Sequence, residues 1–93
     1  MTKEEAFLLA FNEEMTEENE ERYQGHFASL EEYGRDLCRL NFNPVPGTFK
    51  DIAEFWEFFD ARGYGRFALD NDSTTGLVRY QEDGEGGFFL FHR

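Results

Sequence analysis

The sequence predicts a small α+β domain: about three helices followed by a three-stranded antiparallel β-meander. Three observations lead there. Apolar residues recur at helical spacing through the first two thirds of the chain. Hydroxyl residues followed three positions later by an acid mark helix starts. Beyond Gly63 the apolar period shortens to two, and polar clusters separate the segments.

Thr2-Lys3-Glu4-Glu5 reads as a capping box that opens the first helix. Phe7, Leu8, Phe11 and Met15 form its apolar stripe. The helix is expected to continue through the acidic run towards Tyr23, or to fray near Thr16, with Gly25 ending it in either case. Ser29-Leu30-Glu31-Glu32 is a second box, and Leu30, Tyr33, Leu37 and Leu40 share one face of the helix that follows. Asn43-Pro44-Val45-Pro46-Gly47 is a stop and linker. Thr48 then caps a third helix with Asp51 as its partner. Ile52, Phe55, Trp56 and Phe59 are its stripe, and Gly63 is its C′ residue. Strands are expected near 64–69, 76–81 and 87–92, with turns at Asp70-Asn71-Asp72-Ser73 and Asp83-Gly84-Glu85-Gly86-Gly87. Phe88, Phe89 and Phe91 cannot all face one side of a strand, so both sides need a cover.

A chain of 93 residues fits one domain, 1–93, with residues 1–22 as an acidic N-terminal helix. Aromatic residues make up 18% of it, twelve of them Phe, which is enough apolar surface for a core. Acids outnumber bases 20 to 9, so the formal charge is −11. That charge repels nucleic acid and anionic membrane and attracts a basic partner. Cys38 is alone, which excludes an internal disulfide and fits a reducing cytoplasm. On the apolar side of the second helix it reads as a small core residue. No apolar run approaches a membrane span, and the acidic start is unlike a signal peptide.

Six Glu and no base lie between Glu13 and Glu21. A helix there would be ~12 Å long and carry one negative charge per ~2 Å, close to the ~1.7 Å per charge of duplex DNA. Glu13, Glu17, Glu20 and Glu21 would share a face, with Glu14 and Glu18 beside it. The pairs 13/17, 14/18 and 17/21 would repel at i, i+4, each by about 0.2–0.5 kcal/mol. Glu31, Glu32 and Asp36 lie on the outer face of the second predicted helix, and Asp51, Glu54, Glu57 and Asp60 on that of the third. Together these thirteen carboxylates are the candidate partner-binding set, a sheet of charge that stands in for phosphates.

No catalytic constellation is expected. His26 and His92 are the only histidines, and neither has a nucleophile or orienting acid at a telling spacing. Asp70, Asp72 and Thr74 resemble the start of a calcium loop, but Thr75 and Gln81 stand where that loop needs Gly and Glu. A polar hairpin turn is the expected reading. The 84–87 glycines have no Lys or following helix to cradle phosphate. No cofactor or metal is implied. Trp56 and the Phe pairs at 58/59 and 88/89 offer an alternative, a protein-binding aromatic patch with acidity serving solubility.

Two stretches resemble the ArdA family of antirestriction proteins. Tyr23-Gln24-Gly25-His26-Phe27-Ala28-Ser29-Leu30-Glu31-Glu32-Tyr33 is similar to a recurring Y-x-G-x-F-x-S-x-E-E-aromatic pattern. Phe59-Asp60, followed after three residues by Tyr64-Gly65-Arg66, looks like the family's C-terminal segment. The resemblance covers roughly 23–93. It implies a non-enzymatic DNA mimic carried by a phage or mobile element. Such a protein occupies the groove of a basic nucleic-acid-binding protein in the bacterial cytoplasm, without binding nucleic acid or membrane. The family blocks type I restriction-modification enzymes. This chain is shorter than the family's several-domain proteins, so a different target, another DNA-binding enzyme or a CRISPR effector, is also expected. The resemblance leaves a homodimer open.

Overall fold

The computed structural model describes residues 1–41 and 51–93. The linker expected at 43–47 and the Thr48 cap lie outside the described residues. The elements run α1 (Lys3–Phe11), a 3-10 turn (Glu20–Arg22), β1 (Tyr23–Phe27), α2 (Leu30–Asn41), α3 (Ile52–Phe58), α4 (Ala61–Thr74), β2 (Val78–Glu82) and β3 (Phe88–His92). Among the described residues this is an α+β arrangement of four α-helices and one antiparallel sheet in the order β1-β3-β2.

Five expectations are corrected. The strands do not form a meander after the helices, because β1 comes before α2 and reaches the far side of β3. Gly25 does not end a helix. It sits in β1 with φ 139°, where the register against β3 shifts between Tyr23 and Gly25. The segment 64–69 is not a strand, and the expected 70–73 turn is not a turn. Both belong to α4, whose N-cap Asp60 accepts a hydrogen bond from the Gly63 N–H at 2.9 Å. Gly63 therefore lies in the first turn of α4 rather than after the third helix, which ends at Phe58.

The helical reading of 61–74 has a clear cause. Ala61, Gly65 and Leu69 are buried at i, i+4 spacing, with Ala68 packed beside them. That stripe faces α2, and the two helices meet backbone to backbone. A Cβ on Gly34 would overlap the Ala61 carbonyl and come within 3.0 Å of Gly65 N. A Cβ on Gly65 would overlap the Leu30 carbonyl and reach Gly34 N at 3.0 Å. Glycine normally weakens a helix interior by about 0.5–1 kcal/mol. Here each glycine permits a crossing that a larger residue would block.

The capping boxes are present. Glu5 N donates to Thr2 Oγ1 at 3.2 Å, and Glu32 N donates to Ser29 Oγ at 3.1 Å. The Glu32 side chain reaches back past the cap and accepts from Ala28 N at 2.9 Å. Asp51 itself caps α3, accepting from Glu54 N at 2.9 Å.

The sheet is covered on both faces. Phe88 and Leu90 of β3 join Val78, Tyr33 and Leu69 under α2 and α4. Phe89 and Phe91 point the other way and pack with Ala6 and Phe7 of α1. Two stripe residues predicted for the first two helices fall outside these clusters: Leu40, near the end of α2, and Leu8 are both exposed. Cys38 is buried, and burial pushes its thiol pKa up.

A Gly34→Ala change should destabilise the fold by about 1–3 kcal/mol through overpacking at Ala61. Urea denaturation would measure it. An unchanged midpoint would mean that the close crossing contributes nothing to stability.

Candidate functional site

The acidic run is not a helix. α1 stops at Phe11, and Asn12 takes the left-handed conformation (φ 58°, ψ 34°) as its C-cap. Residues 13–19 form an irregular loop with a turn at 17–19, followed by the 3-10 turn. The physical reason is the charge itself. A continued helix would bring 13/17, 14/18 and 17/21 together at i, i+4, whereas a loop lets the carboxylates spread. Glu13, Glu17, Glu20 and Glu21 therefore do not share a helical face.

The loop is nonetheless held in place. Met15 packs into the apolar cluster around Phe7 and Phe91. Asn19 Oδ1 accepts from Thr16 N at 2.6 Å, and its amide donates to the Glu14 carbonyl at 3.4 Å. Lys3 Nζ donates to Glu20 Oε1 at 2.9 Å, and this contact raises the Lys3 pKa. Arg79 of β2 donates to the Ala10 carbonyl at 2.9 Å and lies 5.0 Å from the Phe11 ring centroid. It thus serves an open carbonyl near the C-terminal end of α1.

The thirteen candidate carboxylates divide by what they touch. Glu13 lies 3.9 Å from Arg22, Glu20 pairs with Lys3, Glu31 pairs with Arg35 at 2.7 Å, and Asp36 lies 3.7 Å from Arg39. Glu32, Asp51 and Asp60 cap helices. Glu54 is half-buried. Glu14, Glu17, Glu18, Glu21 and Glu57 are exposed and have no side-chain partner among the described residues. Four of those five sit on the loop and the 3-10 turn that follows it.

The structure does not gather all thirteen on a single face. The 13–21 loop follows α1 and is anchored in the cluster on that side of the sheet. Glu31, Glu32 and Asp36 belong to α2, which covers the opposite side. The principal extents are 48 × 23 × 23 Å and the radius of gyration is 15.1 Å. A compact domain of this length would have a radius of about 12 Å. The body is elongated.

Two further groups went unnoticed in the sequence. His26 lies 2.6 Å from Asp83, joining β1 to the β2–β3 turn. A carboxylate only accepts, so His26 Nε2 carries the proton. Asp83 Oδ1 also accepts from Glu85 N at 2.7 Å and Gly87 N at 3.0 Å. The His26 hydrogen bond first, then those backbone donors, hold the Asp83 carboxyl below its ordinary value. The second group is Arg62 and Arg66 on α4, which have no ion pair or hydrogen bond among the described residues. Their i, i+4 spacing would have been visible had 61–74 been read as a helix.

Trp56 is half-buried under two guanidinium groups, with Arg35 at 5.2 Å and Arg39 at 5.7 Å from its ring centroid. Phe55, Trp56, Phe59 and Tyr64 form a chain of ring contacts joining α3 to α4. Phe58 and Phe67 remain outside, 72% and 69% exposed. Among the described residues no group of three His, Cys, Asp or Glu is placed to hold a metal ion. Nor is any described helix long and apolar enough to cross a membrane. Comparison with protein-family models, curated proteins and solved structures finds no match to this chain.

A carboxyl lowered on folding stabilises the fold above its unfolded value, ordinarily 3.8, and that contribution is lost as pH falls through the folded value. Asp83→Asn should therefore lower Tm at neutral pH, and its gap from the parent protein should close in acid. Thermal melts from neutral pH down to about 3 would show it. A gap constant over that range would mean that the charge on Asp83 does not matter.

Proposed function

We propose that this protein is a non-enzymatic nucleic-acid mimic. In this reading its carboxylates occupy the groove of a basic nucleic-acid-binding protein of a bacterial defence system, a type I restriction-modification enzyme or a CRISPR effector. The observation that carries the reading is the loop bearing Glu14, Glu17, Glu18 and Glu21: exposed, uncompensated and anchored at Met15, Asn19 and Glu20. A segment shaped by stability alone would gain by having bases among its acids, because like charges repel. The resemblance of Tyr23–Tyr33 and Phe59–Arg66 to the ArdA family supports the same conclusion.

The dimensions refine the mimicry. A length of 48 Å corresponds to about 14 base-pair steps at 3.4 Å each. One nucleic-acid strand of that length carries about 14 phosphates, and a duplex about 28. The net charge of −11 is near the first figure and well below the second. The charge per length is therefore that of one strand, displayed on two sides of a sheet.

Capture from bacterial lysate at low salt should retain a basic nucleic-acid-binding protein, which DNA displaces and salt releases. Changing Glu14, Glu17, Glu18 and Glu21 together to Gln should weaken that complex roughly ten- to a hundredfold while leaving the fold intact. Retention of full affinity by this variant would exclude the loop as the contact. The exposed rings of Phe58 and Phe67 favour a second reading, an interaction module that binds through aromatic surface. A complex indifferent to salt and lost on Phe58→Ser would select it.

A further inference from the structure

We propose that the cleft between α4 and the β2–β3 hairpin binds a small phosphate-bearing molecule with a planar or apolar body, such as a mononucleotide. The cleft has a volume of about 360 Å³, within the range of small-molecule sites. Arg62 and Arg66 line it from one turn of α4, and Tyr80 and Phe88 line it from the sheet. Asp70 and Glu82 complete its polar lining.

The cations are the first argument. In a chain with twenty acids and nine bases, partners for a base are plentiful. Lys3, Arg22, Arg35 and Arg39 each have one. Among the described residues Arg62 and Arg66 do not, although Asp70 lies one helical turn from Arg66 and lines the same cleft. Two free guanidinium forks on one flank of a helix match the oxygens of a phosphate. The rest of the lining selects the body of the ligand. The Tyr80 and Phe88 rings meet edge to face with centroids 6.0 Å apart, giving an aromatic wall for a flat group. The two carboxylates can accept from amino or hydroxyl groups on that body.

Size decides against a polymer. A nucleic-acid chain reaching this cleft would also meet the field of the remaining carboxylates, whereas a small ligand meets mainly the cleft's own charges, Arg62 and Arg66 balanced by Asp70 and Glu82. Charges farther than about 8–10 Å are largely screened at physiological salt. The proposal stands on the cleft and is independent of the mimic reading.

The test is an NMR titration of the full chain with adenosine monophosphate, inorganic phosphate and adenosine. Adenosine monophosphate should saturably shift the guanidinium signals of Arg62 and Arg66 and the amide of Gly86. Inorganic phosphate should shift the same guanidinium signals more weakly, and adenosine weakest of all. Arg66→Gln should lower the nucleotide affinity roughly tenfold or more. Both arginines are exposed, so the variant should keep the parent spectrum elsewhere. No saturable shift at millimolar nucleotide would overturn the proposal. So would an unchanged affinity in the Arg62→Gln/Arg66→Gln double variant, or adenosine binding as tightly as its monophosphate.

Discussion

The meeting of α2 and α4 is the constraint on which most of the molecule rests. Gly34 and Gly65 remove the side chains that would hold the two helix backbones apart. Tyr33 and Leu69, one step from the crossing or one turn beyond it, can then share a cluster with Phe88 and Leu90 of the sheet. The crossing also sets the rotation of α4. With Ala61, Gly65 and Leu69 facing inward, Arg62 and Arg66 fall on the adjoining flank and line the cleft beside the hairpin. Phe67 falls outside, in solvent. One steric requirement thus assigns the positions of a core, a cleft and an exposed aromatic.

Parts of this were legible in the sequence because they depend on near neighbours. The Thr2 and Ser29 boxes act over three residues, and both appear as read. The Asp83–Gly87 turn is equally local. It is closed by Asp83 N donating to the Gly87 carbonyl at 3.0 Å, with Gly84 and Gly86 supplying positive φ. The Phe88–Phe91 run also implied two covered faces, since consecutive strand side chains alternate. What stayed hidden depends on distant partners. Gly63 reads as the end of a helix and Gly65 as part of a strand until Gly34 is placed opposite the second of them. The first helix is expected to reach towards Tyr23 and stop at Gly25, yet Tyr23–Phe27 is a strand that pairs with β3 more than sixty residues later.

The acidic run shows how one electrostatic fact can be read in two ways. Like charges four residues apart signalled either a strained helix kept for binding or no helix at all. The backbone takes the second course, with Asn12 ending α1 before the run begins. Glu–Glu repulsion is small per pair, but Thr16 and Asn19 are also weak helix formers. They find better bonds with each other in the loop. The carboxylates keep their exposure without the helix. Their spacing then follows the path of the loop rather than the pitch of a regular element.

That arrangement separates what holds the loop from what it displays. Its anchors are Met15, Thr16, Asn19 and Glu20, while Glu14, Glu17, Glu18 and Glu21 make no side-chain contact that fixes the backbone. On a helix, moving a charge by one position rotates it away from the shared face by about 100°. On this loop, exchanging residues among the display positions changes the charge pattern and leaves the anchors intact. Over evolutionary time such a surface can change its charge pattern through single substitutions, each nearly neutral for folding.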